Sequence, residues 1–270
     1  MSAGFTCLHL LILWKTTLIP GFNRHQNILQ VNIMNKSLQD TIVTLKSSYE
    51  AFSRQFLNAC RRVGRKPDDI TLVAVTKKVD IQRINAAKAL GLADFGESYV
   101  QEAREKIPLV EKPVKWHFIG HLQKNKVNTV VDLFDMIQSV DSVELARKIN
   151  SRGEALDKTI EILLQIHYGD EESKHGFAPD ELEPALEALA GMSRLSIQGL
   201  MTIPPLEDDP ESSRPFFISM RELSGWIDEM GLPNWESRFL SMGMTDDFDI
   251  AIEEGSNMIR VGRAIFGERI

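Results

Sequence analysis

Three sets of residues in this 270-residue chain have types and spacing suited to chemistry. Lys77 closes the apolar run Leu72-Val73-Ala74-Val75-Thr76. A lysine at the wet end of a strand is often only a solvated charge. At the mouth of an enclosed site it is partly desolvated, which lowers its pKa and frees the amine for imine formation. Lys78 stands beside it facing the opposite side, and the run alone does not choose between the two. The second set is a pair of small, Gly-bearing turns, Ser241-Met242-Gly243-Met244-Thr245 and Val261-Gly262-Arg263. Glycine lets a backbone approach a ligand closely, and exposed N–H groups at a helix start favour phosphate. Asp246 and Asp247 follow the first turn, where acids suit a helix start; ordinary N-cap usage is the bland alternative. The third is Arg260, a guanidinium inside the apolar segment Met258–Phe266. A lone buried charge is costly, so Arg260 needs either an ion-pair partner within the fold or a ligand.

The elements that would position these residues follow from hydrophobic periodicity. Leu38, Ile42, Leu45, Tyr49, Phe52, Phe56, Cys60 and Val63 form one apolar stripe at helical spacing, closed by Gly64 and Pro67. Eight strands are then expected, near Ile70–Lys77, Ala93–Glu97, Lys115–Gly120, Met136–Asp141, Ile160–Tyr168, Leu195–Ile203, Arg238–Gly243 and Met258–Phe266. Between them lie the amphipathic stretches Ile81–Leu90, Val100–Ile107, Gln123–Val131, Val143–Arg152, Pro179–Ala190, Ser213–Met230 and Asp246–Glu254. Such alternation implies an α/β fold with a parallel sheet, here a single closed (β/α)8 TIM barrel. No helix is expected after the last strand, so the opening helix Leu38–Val63 completes the outer ring. Barrel sites sit at the C-terminal strand ends, and phosphate binds after strands seven and eight, where both Gly-bearing turns fall.

Composition narrows the functions. The net charge of −7 argues against a general nucleic-acid binder. Two cysteines, Cys7 and Cys60, with no CxxC, make a disulfide framework or thiolate metal site unexpected and suit a reducing, cytoplasmic setting. The apolar run Phe5–Trp14 is too short to span a bilayer, and Lys15 follows it instead of preceding it as in a secretory signal. Residues 1–33 therefore read as an extension outside the fold, with residues 34–270 as the barrel; a targeting peptide is the alternative. His117 and His121 flank a strand end without an HExxH pattern, so no metal site is expected there. Gly262 and Gly267 lack a following Gly-Lys-Ser/Thr, which rejects a nucleoside-triphosphate loop. The acidic loop Asp208, Asp209 and Glu211 reads as surface.

The ordered motifs Ala74-Val75-Thr76-Lys77, Phe95-Gly96-Glu97-Ser98-Tyr99-Val100-Gln101-Glu102, Trp116-His117-Phe118-Ile119-Gly120, Leu122-Gln123-Lys124-Asn125-Lys126, Gly199-Leu200-Met201, Ser241 to Asp247, and Arg260-Val261-Gly262 through Gly267 closely resemble the pyridoxal phosphate homeostasis proteins. The resemblance spans Leu38 to the C-terminus. It implies an alanine-racemase-like barrel without the second, β-rich domain, binding pyridoxal 5′-phosphate and helping to balance the free cofactor pool without established turnover. By position it implies Lys77 as the Schiff-base lysine, Ser241, Thr245, Gly262 and Arg263 as the phosphate cradle, and Arg260 facing the pyridine nitrogen. Ser98 and His167 stand where the family usually has Asn, and Arg263 where Ser or Thr is common. A cationic Arg260 at that nitrogen disfavours its protonation and weakens the ring as an electron sink. A cofactor holder, with apo pyridoxal-phosphate enzymes as recipients and a monomer (dimer the alternative) as its state, is thus expected over the runner-up, an active amino-acid racemase. A barrel enzyme for a phosphorylated sugar is the third reading.

Overall fold

The computed structural model describes residues 24–168, 175–205 and 207–268, with side chains from Asp40 onward. Residues 1–23, which carry the apolar run Phe5–Trp14 and Cys7, lie outside the described residues, as does Leu206 of the Pro204–Pro210 loop. The chain opens with α1 (Arg24–Arg62) and then alternates: β1 (Thr71–Val75), α2 (Ile81–Ala89), β2 (Asp94–Glu97), α3 (Val100–Lys106), β3 (Lys115–Phe118), α4 (Val127–Leu133), β4 (Met136–Val140) and α5 (Val143–Leu156). It continues with β5 (Ile160–Ile166), α6 (Leu182–Ala190), β6 (Leu195–Thr202), α7 (Arg214–Met230), β7 (Trp235–Ser241), α8 (Phe248–Glu253), β8 (Met258–Val261) and α9 (Arg263–Phe266). The eight strands pair in sequence order into a closed barrel, with β8 parallel to β1.

Side chains alternate across this barrel wall. Val73, Met136, Leu163, Met201 and Met258 turn inward and pack on one another. Their neighbours Ala74, Ile137, Ile162, Leu164, Leu200 and Ile259 turn outward into the larger layer beneath the helices. Helix α1 does complete the outer ring: it packs on α2, α8 and α9, and so covers the join between β8 and β1. Phe52 of α1 meets Phe248 of α8 edge-on, ring centroids 5.2 Å apart.

Several boundaries differ from the sequence-based expectation. Helix α1 begins at Arg24, well before Leu38. Strand β7 begins at Trp235 instead of Arg238; Glu236, Ser237 and Arg238 are exposed and polar, so their pattern reads as loop. Strand β8 ends at Val261, and Arg263–Phe266 is not strand but the short helix α9. The apolar run there hides the break because Ile265 and Phe266 are buried from the helix just as strand residues would be. Gly199, beside an irregularity in the β6–β7 register, takes φ +138°, and a Cβ there would sit 1.9 Å from the Phe239 carbonyl oxygen. Only glycine allows those strands to approach.

Candidate functional site

Lys77 lies just past β1, two residues beyond Val75, and lines a cavity of about 570 Å³ at the C-terminal mouth together with Ser98, His121, Gln165, His167 and His175. Lys78 turns away: it is exposed, takes φ +60°, and its N–H donates to Glu102 Oε2 (2.8 Å). The structure thereby separates two lysines that composition left equal. The strand end beneath them is clamped by a buried ionic cluster. Glu97 is fully buried; Thr76 Oγ1 donates to its Oε1 (2.8 Å), as does Lys106 Nζ (2.8 Å). Lys106 Nζ also donates to the Thr76 carbonyl (2.8 Å) and to Glu102 (2.6 Å). Burial pushes the Glu97 carboxyl up, against the opposing pull of Lys106 and Thr76.

Arg260 points into the barrel, as alternation from inward Met258 requires. Its Nη1 donates to Ser241 Oγ (2.7 Å) and its Nη2 to the Thr202 carbonyl (2.8 Å). Burial lowers its pKa to about 10, with Asp247 pulling the other way, so it stays cationic at neutral pH. The network continues downward: Ser241 Oγ donates to Gln138 Oε1 (2.7 Å), Gln138 Nε2 donates to His117 Nδ1 (3.0 Å), and His117 Nε2 donates to Asp94 Oδ1 (2.9 Å). Gln138 Nε2 also points at Met258 Sδ (3.1 Å). Every donor faces the same way, which assigns both the Gln138 amide and the His117 tautomer, and aligned bonds of this kind reinforce one another. Gln138→Leu strips partners from His117 and Ser241, both buried. The expected loss is about 2–4 kcal/mol of stability, read by urea denaturation.

The loops after β7 and β8 are tied together. The Arg260 N–H donates to the Gly243 carbonyl (3.0 Å), and the Arg263 side chain pairs with Asp246. Asp247 accepts from the Met244 N–H (2.6 Å) and from Ser213 Oγ (3.2 Å), which fixes the turn carrying Thr245. Gly243 takes φ +93°, and a Cβ there would meet Ala251 Cβ at 2.6 Å. Gly262 caps α9, whose first N–H groups lack intrahelical acceptors. Register aligns β1 with β8, Ala74 opposite Val261, so Lys77 and the Gly262–Arg263 turn share one end of adjacent strands.

Of the expected site residues only Lys77 lines the cavity; Thr245, Gly262 and Arg263 follow β7 and β8 at the same end of the barrel, and Arg260 lies within β8. Ser241 Oγ accepts from Arg260 and donates to Gln138, so it also braces the guanidinium from below. The Arg263 side chain is engaged with Asp246, which leaves its backbone N–H for a ligand. Gln138, His117 and Asp94 were missed. Two-residue alternation applied to β3 and β4 would have turned His117 and Gln138 inward, level with Met136. The site fits a ring-bearing phosphate ester. The recorded partners of the buried Arg260 are neutral oxygens, leaving donor capacity unused, and His167 Nε2, buried at the cavity, has no partner among the described residues.

The family model for the alanine racemase N-terminal domain matches residues 48–270. The pyridoxal phosphate homeostasis protein of Haemophilus influenzae is 36% identical over 230 residues, 84% of this chain and 97% of that protein. This chain belongs to that family. The pyridoxal phosphate homeostasis protein of Escherichia coli K12 is 38% identical over 216 residues, covering 78% and 91% of the two chains. Among solved structures, PipY of Synechococcus elongatus with PLP bound is 32% identical, with TM-score 0.70 over 79% of this chain and 99% of that one. Alanine racemase of Clostridium difficile shares the barrel alone, at 17% identity and TM-score 0.61, over 80% of this chain and 55% of that one. The curated family members carry the name of a homeostasis protein and not of an enzyme. Among the described residues no helix is long and apolar enough to cross a membrane.

Proposed function

We propose that this chain binds pyridoxal 5′-phosphate and takes part in the homeostasis of the free cofactor. The observation that carries the reading is the buried, still cationic Arg260, held by neutral oxygens on β8, the strand paired with β1, which leads to Lys77. Bound there, the cofactor supplies an aldehyde that condenses with an amine and releases one water. Lys77 is the amine that holds it as a Schiff base, and Arg260 is the donor to the pyridine nitrogen. The Thr245 hydroxyl and the backbone N–H groups of Gly262 and Arg263 receive the phosphate. Ser241 and Gln138 keep Arg260 in place. A cation at the pyridine nitrogen disfavours ring protonation, so the site suits holding a cofactor better than stabilising carbanions. Within this reading, residues 34–270 form the cofactor unit, a monomer working in the cytoplasm, and apo pyridoxal-phosphate enzymes are the recipients.

Titration of the purified protein with pyridoxal phosphate tests this. A saturable shift of the visible absorption is expected at one cofactor per chain, with no prompt α-proton exchange when L-alanine is added in deuterated water. No spectral change would refute the binding, and fast exchange would refute the holding role in favour of racemase-type chemistry.

A further inference from the structure

We propose that the barrel rim carries a site for a divalent transition metal, formed by His121, Asp141 and His175. The three residues follow consecutive strands β3, β4 and β5, so the barrel brings their loops side by side. Asp141 Oδ2 lies 3.2 Å from His121 Nδ1 and 3.9 Å from His175 Nδ1. The ligand atoms of all three fall within 4.8 Å of one another. The imidazole rings stack, centroids 3.5 Å apart and planes 11° from parallel. One carboxylate oxygen therefore faces two ring nitrogens at once.

The carboxylate is also held in place. Asp141 Oδ1 accepts from Ser142 Oγ (3.1 Å), and that same hydroxyl caps α5 by accepting from the Leu145 N–H (3.3 Å). A ligand oriented by an outer hydrogen bond that is itself fixed by a helix start is the usual support of a metal site. The Asp141 side chain is only 11% exposed, whereas the two imidazoles are 43% and 49% exposed. The anion is sheltered while both histidines retain room to adjust.

Two imidazoles and one carboxylate select for zinc-like cations. Magnesium and calcium prefer all-oxygen sets. Metal–ligand bonds of about 2.0–2.2 Å in a tetrahedral site place ligand atoms about 3.4 Å apart. The Asp141–His121 spacing is close to this; because the two rings stack in parallel, the exposed His175 ring must rotate out of the stack to aim its nitrogen at the same ion. Both histidines line the cavity that holds Lys77. From the sequence no metal site is expected anywhere in the chain, the histidine pair weighed being His117 and His121. His117 is indeed occupied elsewhere, between Gln138 and Asp94, and His121 finds its partners on other loops.

The test uses the full chain, stripped by chelator and free of pyridoxal phosphate, so its outcome is independent of the cofactor reading. Cobalt(II) is expected to give a visible ligand-field spectrum at one equivalent, displaced by zinc. Calorimetry should show one zinc per chain. His175→Ala and Asp141→Ala should each weaken zinc binding at least tenfold. Because His175 is exposed, its variant should retain the wild-type circular dichroism spectrum, which separates ligand loss from misfolding. Absence of stoichiometric binding, or zinc affinity unchanged in both variants, would reduce the trio to a hydrogen-bonded cluster and overturn the proposal.

Discussion

Lys77→Ala is expected to reduce borohydride-trapped pyridoxal phosphate to background, while Lys78→Ala retains wild-type labelling. The two lysines are adjacent and differ only in where the backbone sends them. Lys77 lines the cavity, whereas Lys78 leaves at φ +60° with its N–H tied to Glu102. Without the Lys77 amine no carbon–nitrogen bond can form with the aldehyde, so the loss is qualitative. The phosphate contacts proposed for the loops after β7 and β8 would not depend on that amine. Weak, reversible cofactor binding should therefore persist in the variant and be visible by equilibrium dialysis. Peptide mapping after reduction checks both statements, and label found mainly on another lysine of the wild type would remove Lys77 from its role.

Lys106→Met carries the largest expected cost in stability. Lys106 is the cation facing fully buried Glu97, and its own side chain is only 13% exposed. Removing one partner of a buried pair leaves an uncompensated charge, worth about 3–5 kcal/mol. The pH dependence has a definite sign. Burial already raises the Glu97 carboxyl above its ordinary value, so its contribution to stability is fully present below the ordinary carboxylate range and is lost as pH rises through the raised value. Losing Lys106 raises that value further. The variant should therefore fall furthest behind the wild type at neutral pH and close part of the gap in mild acid. Adding Glu97→Gln to Lys106→Met should recover most of the loss, because the fully buried position 97 then carries no charge. Chemical denaturation at two pH values measures this, and a pH-independent deficit would refute the account. Because Lys106 also holds the Thr76 carbonyl next to Lys77, the single variant should loosen cofactor capture as well.

Much of this architecture is legible in the sequence because barrel strands are short apolar runs between helical stripes, and the period changes sharply from one to the other. Lys77, Arg260 and the two Gly-bearing turns stand out because each interrupts an apolar run at a strand end. The network below Arg260 is harder to see. Gln138 and His117 look like ordinary polar residues in strands, and only knowledge of which face closes inward reveals that they meet. The pairing of Glu97 with Lys106 is similarly hidden, since the carboxylate sits on a strand and the amine on the following helix. His121, Asp141 and His175 lie apart in the chain and converge only because β3, β4 and β5 pair side by side. The start of β7 escapes notice because Glu236, Ser237 and Arg238 are exposed.

Helix α1 spans the boundary between the first and last strands, with α2 on one flank and α8 and α9 on the other. That seam is where the backbone supports Lys77 on one side and Arg260 on the other. A change on the outer surface of this helix, far from any ligand, thus bears on how closely the amine and the guanidinium are held in step. Phe52, buried and packed against Phe248, anchors the helix at that seam. Its truncation to Ala would open a cavity at that seam, at a cost of about 3–5 kcal/mol.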